Sequence, residues 1–106
     1  MNLDEDKFNV LRKLNHDNNL TQRELSKSLN LSLGKINYCL KALKEKGLVK
    51  ICNFKNNSNK IIYFHILTSK GILTKTRLTI NFMKKKMQEY DDLKKDIEKI
   101  KKNYKN

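Results

Sequence analysis

The sequence predicts a mainly α fold with one small β-hairpin (α+β), ending in a long C-terminal helix. Three observations predict it. Two short amphipathic stretches follow one another, each opened by its own helix-capping residue. The hydrophobic period then changes from helical to strand-like between residues 48 and 67. Beyond residue 68, a run without proline keeps its apolar residues three and four apart.

The first helix is expected from about Asp4 to His16, with Phe8, Leu11 and Leu14 on one stripe and Val10 beside them. Asp4, Glu5 and Asp6 fall in its first turn, where negative charge suits the helix dipole. The polar stretch Asn15 to Asn19 ends it. Thr21-Gln22-Arg23-Glu24 reads as a capping box for the second helix, with Leu20 placed to staple against Leu25 and with Leu25 and Leu29 facing inward. After Asn30-Leu31, Ser32 caps a third helix that runs to about Lys46. Its inner face is Ile36, Leu40 and Leu43, with Leu33 one turn earlier, and Gly47 stops it at the position that favours a left-handed backbone. Two short capped helices joined by a tight turn form a helix-turn-helix.

Leu48 to Phe54 and Ile61 to Leu67 are rich in Ile, Val, Tyr and Phe and read as strands, and the polar segment Lys55 to Lys60 is the turn between them. A helix-turn-helix followed at once by a hairpin is the winged arrangement. Residues 1–67 are therefore expected to form a winged helix-turn-helix domain and residues 68–106 a long helix. Thr68-Ser69-Lys70-Gly71 opens that helix, expected from Ser69 to about Asn103 and roughly 50 Å long at ~1.5 Å per residue. Ile72 and Leu73 are expected to lie back on the domain. Leu73, Thr76, Ile80, Met83, Met87 and Tyr90 keep a coiled-coil spacing, which a stammer then shifts to Leu93, Ile97, Ile100 and Tyr104. Beyond about Ile80 the chain offers this stripe no partner, so a second copy is expected to cover it. The last residues, Lys101 to Asn106, are expected to fray.

The 106 residues allow one modest core, and 24 Lys and Arg against 11 Asp and Glu give a net charge of +13. An excess of that size points to a polyanion. It is also localised: residues 1–31 net zero, residues 32–67 carry +6 and residues 68–106 carry +7. The third helix and the hairpin are thus almost purely basic, as expected of elements that meet phosphates. No apolar run approaches the ~20 residues that span a bilayer, and the acidic N-terminus is unlike a secretion signal, so a cytoplasmic location without a membrane partner is expected.

On the third helix, the face opposite the apolar stripe presents Gly34, Lys35, Asn37, Tyr38 and Lys41, with Ser32 at the N-cap. Asn can bond adenine with both amide atoms, Lys can meet guanine or phosphate, and Gly permits close backbone approach. Ser32 and the free N–H groups behind it suit a phosphate, and Thr21 occupies the equivalent place on the second helix. In the hairpin, Lys55 and Lys60 are placed to lean on phosphates, while the tip lacks the Arg that usually enters a narrow minor groove. The expected partner is double-stranded DNA, and the expected role that of a repressor-type regulator. A solvated helix face, a protein-interaction module and non-specific nucleic-acid binding stay open as alternatives.

These residues resemble the MarR family of winged-helix regulators. Leu31-Ser32 through Leu43, then Glu45-Lys46-Gly47-Leu48-Val49, are similar to its recognition helix and the start of its wing. Thr68-Ser69-Lys70-Gly71 resembles its junction after the wing. Asn53-Phe54, Asn59-Lys60, Leu67-Thr68, Lys70-Gly71-Ile72, Leu78-Thr79, Phe82, Glu89-Tyr90 and Leu93-Lys94 resemble a short subgroup associated with exopolysaccharide gene clusters. The resemblance implies a homodimer on a pseudo-palindromic operator, one recognition helix per half-site. The family's N-terminal extension and its wing Asp and Arg are not found. Dimerisation is therefore expected to rest on Leu73, Ile80, Met83, Met87, Tyr90, Leu93, Ile97 and Ile100, and a small-molecule effector site is not expected.

No cofactor or metal is expected. Cys39 and Cys52 lie 13 residues apart without a second Cys pair, short of a zinc site, and a Cys on such a helix behaves as a small hydrophobe. His16 and His65 fall on different elements. No nucleophile–base pair, carboxylate dyad or phosphate-cradling loop is recognisable, so no enzymatic role is expected.

Overall fold

A computed structural model describes residues 3–14, 20–55 and 58–104. The elements run α1 (Glu5–Lys13), α2 (Gln22–Leu29), α3 (Leu33–Glu45), β1 (Val49–Lys55), β2 (Ile61–Leu67) and α4 (Ser69–Tyr104). They form two compact units, Met1–Thr76 and Arg77–Asn106. The expected α1 terminus at His16, the hairpin-tip residues Asn56 and Asn57, and the terminal Lys105 and Asn106 lie outside the described residues.

Helix ends follow the capping chemistry. Asp4 caps α1 by accepting the Lys7 backbone N–H at 2.9 Å. Leu14, expected inside this helix, is already extended (ψ 126°), although its side chain stays buried. In α2 the capping box closes in both directions, Glu24 N–H to Thr21 Oγ1 and Thr21 N–H to Glu24 Oε1, each at 3.2 Å. Asn30 ends that helix in the left-handed region (φ 55°), and the Leu31 N–H reaches back to the Ser26 carbonyl at 3.2 Å. Ser32 Oγ accepts the Lys35 N–H at 3.1 Å and starts α3. Gly47 (φ 74°) closes α3 in a Schellman motif: its N–H meets the Lys44 carbonyl at 2.9 Å and the Leu48 N–H meets that of Leu43 at 3.0 Å.

The first unit's core gathers Val10, Leu11 and Leu14 of α1, Leu25 of α2, and Ile36, Cys39, Leu40 and Leu43 of α3. Leu48, Val49 and Leu67 close it at the base of the hairpin. Leu33, expected on the inner face, is exposed: in the first turn of α3 it precedes the part of the helix that meets α1 and α2. The strands pair antiparallel, with Val49 opposite Leu67 and Ile51 opposite His65. A bridge from the His65 N–H to the Leu20 carbonyl (3.3 Å) ties the segment before α2 to the hairpin, so Leu20 serves as a sheet contact.

The start of α4 corrects a third expectation. Gly71 and Thr74 are the buried residues there, whereas Ile72 and Leu73 are exposed. The reason is a close approach: a Cβ on Gly71 would stand 2.0 Å from the Leu48 carbonyl oxygen. Thr68 builds this contact. Its Oγ1 donates to the Gly47 carbonyl at 2.6 Å and accepts the Gly71 N–H at 3.0 Å, while its own N–H meets the Leu48 carbonyl at 3.0 Å. Lys70 Nζ adds a bond to the Lys46 carbonyl at 3.2 Å, placing a cation at the negative end of the α3 dipole. The second unit is the remainder of α4, and the apolar side chains of its stripe are exposed.

Candidate nucleic-acid interface

Thr21, Gln22 and Arg23 stand at the positive end of the α2 dipole, facing Asn37, Lys41 and Lys44 of α3. The outer face of the hairpin, with Ile51, Ile61 and Tyr63, completes a groove of about 700 Å³. Arg23, Lys41 and Lys44 are exposed at its edge, and among the described residues no carboxylate lines it. Gln22 Nε2 donates to Asn37 Oδ1 at 3.1 Å, which fixes the Asn37 amide and leaves its NH₂ group to donate. Residues 37, 41 and 44 share one helical stripe, so their side chains face the same groove.

The other flank of α3 is electrostatically different. Lys35 pairs with Asp6 of α1 at 3.6 Å, and Lys7 pairs with Asp4 at 3.2 Å. Both lysines also stand over the Tyr38 ring, at 5.2 and 5.1 Å from its centroid. The Lys7 backbone N–H holds the Asp4 carboxyl below its ordinary pKa, and the Asp4 carboxylate raises that of Lys7. The basic residues on this side are thus largely neutralised within the chain.

The residues expected to meet nucleic acid therefore divide. Thr21, Asn37 and Lys41 lie in the groove; the Thr21 hydroxyl is engaged by its cap, which leaves the first-turn N–H groups of α2 as the donors there. Ser32 and Gly34 are exposed at the start of α3. Lys35 and Tyr38 turn toward α1, while Lys55 and Lys60 flank the hairpin tip. Arg23, Gln22, Lys44 and Tyr63 line the same groove without standing out in the sequence. Lys44 was within reach of sequence reasoning, since it continues the stripe of Asn37 and Lys41. Tyr63 needed the strand register.

His65 closes the floor of the groove. It is 8% exposed, and its Nδ1 has no hydrogen-bond partner among the described residues. Burial, and then the nearby Lys44 charge, lower its pKa below the ordinary histidine value. Burial likewise pushes the Cys39 thiol up, away from the reactive thiolate. Among the described residues, no three His, Cys, Asp or Glu side chains gather in a way that could hold a metal ion, and no helix is long and apolar enough to cross a membrane.

A sequence family described as winged helix-turn-helix DNA-binding matches residues 3–50, which span α1, α2, α3 and the start of β1. The hairpin behind them, with its groove against α3, supplies the wing. The fold is the winged helix of MarR-type regulators. The zinc-responsive MarR family member ZitR of Lactococcus lactis superposes with a TM-score of 0.69 at 22% identity, over 88% of this chain and 62% of its own. Streptococcus pneumoniae FabT, crystallised with DNA, gives 0.62 at 22% identity over 86% of this chain and 62% of its own. A mutant of MepR from a multidrug-resistant clinical isolate of S. aureus gives 0.68 at 18% identity, over 98% of this chain and 80% of its own. The winged-helix chain thus spans about three fifths of ZitR and of FabT. Among curated proteins none matches its sequence significantly. The matched family is described as DNA-binding, and the fold is that of the winged-helix proteins above.

Proposed function

We propose that the chain is a sequence-specific transcriptional regulator, a repressor that binds double-stranded DNA as a homodimer on a pseudo-palindromic operator. The observation that carries this reading is the charge asymmetry of α3. Among the described residues, its groove side meets Arg23 of α2 and presents Lys41 and Lys44 without a carboxylate, while its α1 side is neutralised by Asp4 and Asp6. DNA would enter with Asn37 toward base edges, Lys41 and Lys44 toward phosphates, and the wing lysines Lys55 and Lys60 steadying the complex. FabT, a protein of this fold, was crystallised with DNA. The exposed stripe of α4 would supply the second copy. The resemblance to the exopolysaccharide-associated subgroup directs the search for the operator to polysaccharide-biosynthesis genes, and the cytoplasm is the compartment in which such a regulator works.

Equilibrium competition tests the reading. A labelled duplex from the gene's own upstream region should be displaced by the same sequence at concentrations about a thousandfold or more lower than by random duplex, the usual gap between specific and non-specific binding. Equal competition by both would reject sequence-specific regulation and leave general nucleic-acid binding.

A further inference from the structure

We infer that a second copy of this chain covers the C-terminal part of α4 as a parallel, in-register two-stranded coiled coil over residues 80–104. The inference rests on the homodimer proposed above and adds its direction and register. The stripe Ile80, Met83, Met87, Leu93, Ile97 and Ile100 is at least 43% exposed at every position, an unusually apolar face for a helix with nothing packed on it. Its spacing places Ile80 and Met87 at heptad position a before the stammer, and Ile97 at a after it.

The flanking charges decide the direction. In a parallel pair, each g residue meets the e residue five positions further along the partner helix. Within the frame that follows the stammer, that rule sets Asp96 against Lys101. The pair is of opposite sign and occurs twice by symmetry. In an antiparallel pair e meets e and g meets g: Lys86 would face Asp96, but Arg77 would oppose Lys101 and Lys84 would oppose Lys94, cation against cation at both e–e contacts. Within one chain Lys86 already pairs with Glu89 at 3.4 Å and Gln88 with Asp92 at 3.0 Å, so these side chains extend along the helix surface where a partner's charges would lie.

Single cysteines in the full chain, with Cys39→Ala and Cys52→Ser as background, test direction and dimerisation separately. Matching a positions of a parallel pair come within disulfide reach, Cα atoms about 4.4–6.8 Å apart. Ile80→Cys and Ile97→Cys should therefore each form a covalent homodimer under mild oxidation. If neither links to itself but Ile80→Cys links to Ile100→Cys in a mixture, the parallel direction is overturned and the homodimer stands. If nothing links and the unmodified chain sediments as a monomer, both readings fall. A second measurement needs no thiols. Asp96→Lys should raise the dimer dissociation constant about tenfold, because two symmetry-related attractions become repulsions, and adding Lys101→Glu should restore it. An unchanged constant in Asp96→Lys would overturn the register.

Discussion

Lys35 and Lys41 share one helix but not one environment: Lys35 is paired with Asp6, and Lys41 borders a groove that no described carboxylate lines. Their alanine variants should separate accordingly. Lys41→Ala and Lys44→Ala should each weaken binding to all duplexes and reduce the slope of log K against log salt by about 1, as expected for one lost phosphate contact. Lys35→Ala should change that slope by far less. Equal slopes in the three variants, measured by fluorescence anisotropy across a salt series, would place DNA on the wrong flank of α3. Asn37→Ala should instead erode the preference for the operator over random duplex, and Gln22→Ala should do so in part, because Gln22 holds the Asn37 amide. His65 carries a separate prediction. Its folded pKa lies below the ordinary 6.5, so on acidification the unfolded chain takes up this proton first. Stability should therefore fall as the pH drops below about 6.5, and His65→Phe should flatten the dependence of Tm between about pH 7.5 and 5.5. An identical Tm profile in the variant would show that His65 is not the titrating group. Sequence alone marked Asn37 and Lys41 through helical spacing, but the neutralisation of Lys35 depends on how α1 crosses α3, which no local pattern encodes.

At the scale of elements, the junctions carry as much information as the helices. Thr68, Lys70 and Gly71 hold the end of α3, the base of the wing and the start of α4 in one hydrogen-bonded corner. Gly71→Ala would force a methyl group into the Leu48 carbonyl and should destabilise the first unit by about 3 kcal/mol, an overpacking cost with no flexible side chain to yield. Thermal melting that leaves Tm within about a degree of the parent would contradict this contact. Ser32 allows a finer division. Ser32→Asp keeps a good N-cap and should preserve Tm, yet it sets a carboxylate where a phosphate is proposed and should reduce DNA affinity; Ser32→Ala should cost about 1 kcal/mol of stability through the lost cap. Caps, turns and strand pairing were legible because they depend on side chains bonding to backbone within three or four residues. The inward face of α4 was not. Hydrophobicity nominated Ile72 and Leu73, whereas the close approach of two backbones selected Gly71 and Thr74.

At the scale of the molecule, a basic winged helix is continuous with a helix whose apolar stripe calls for a partner. The whole-chain charge of +13 fits an electrostatic partner, but it is the neutralisation of Lys7 and Lys35 by Asp4 and Asp6 that sets the basic groove apart as the side proposed to face DNA. The proposed dimer would turn that side into two copies related by a twofold axis, the property an inverted-repeat operator reads. The most direct test is selection of duplexes by the full chain from a randomised library, followed by sequencing. A dimeric, sequence-reading regulator should enrich one motif made of two inverted half-sites, and the enrichment should be lost when Asn37 is replaced by Ala. Recovery of duplexes without a shared motif, or of a single half-site alone, would contradict it.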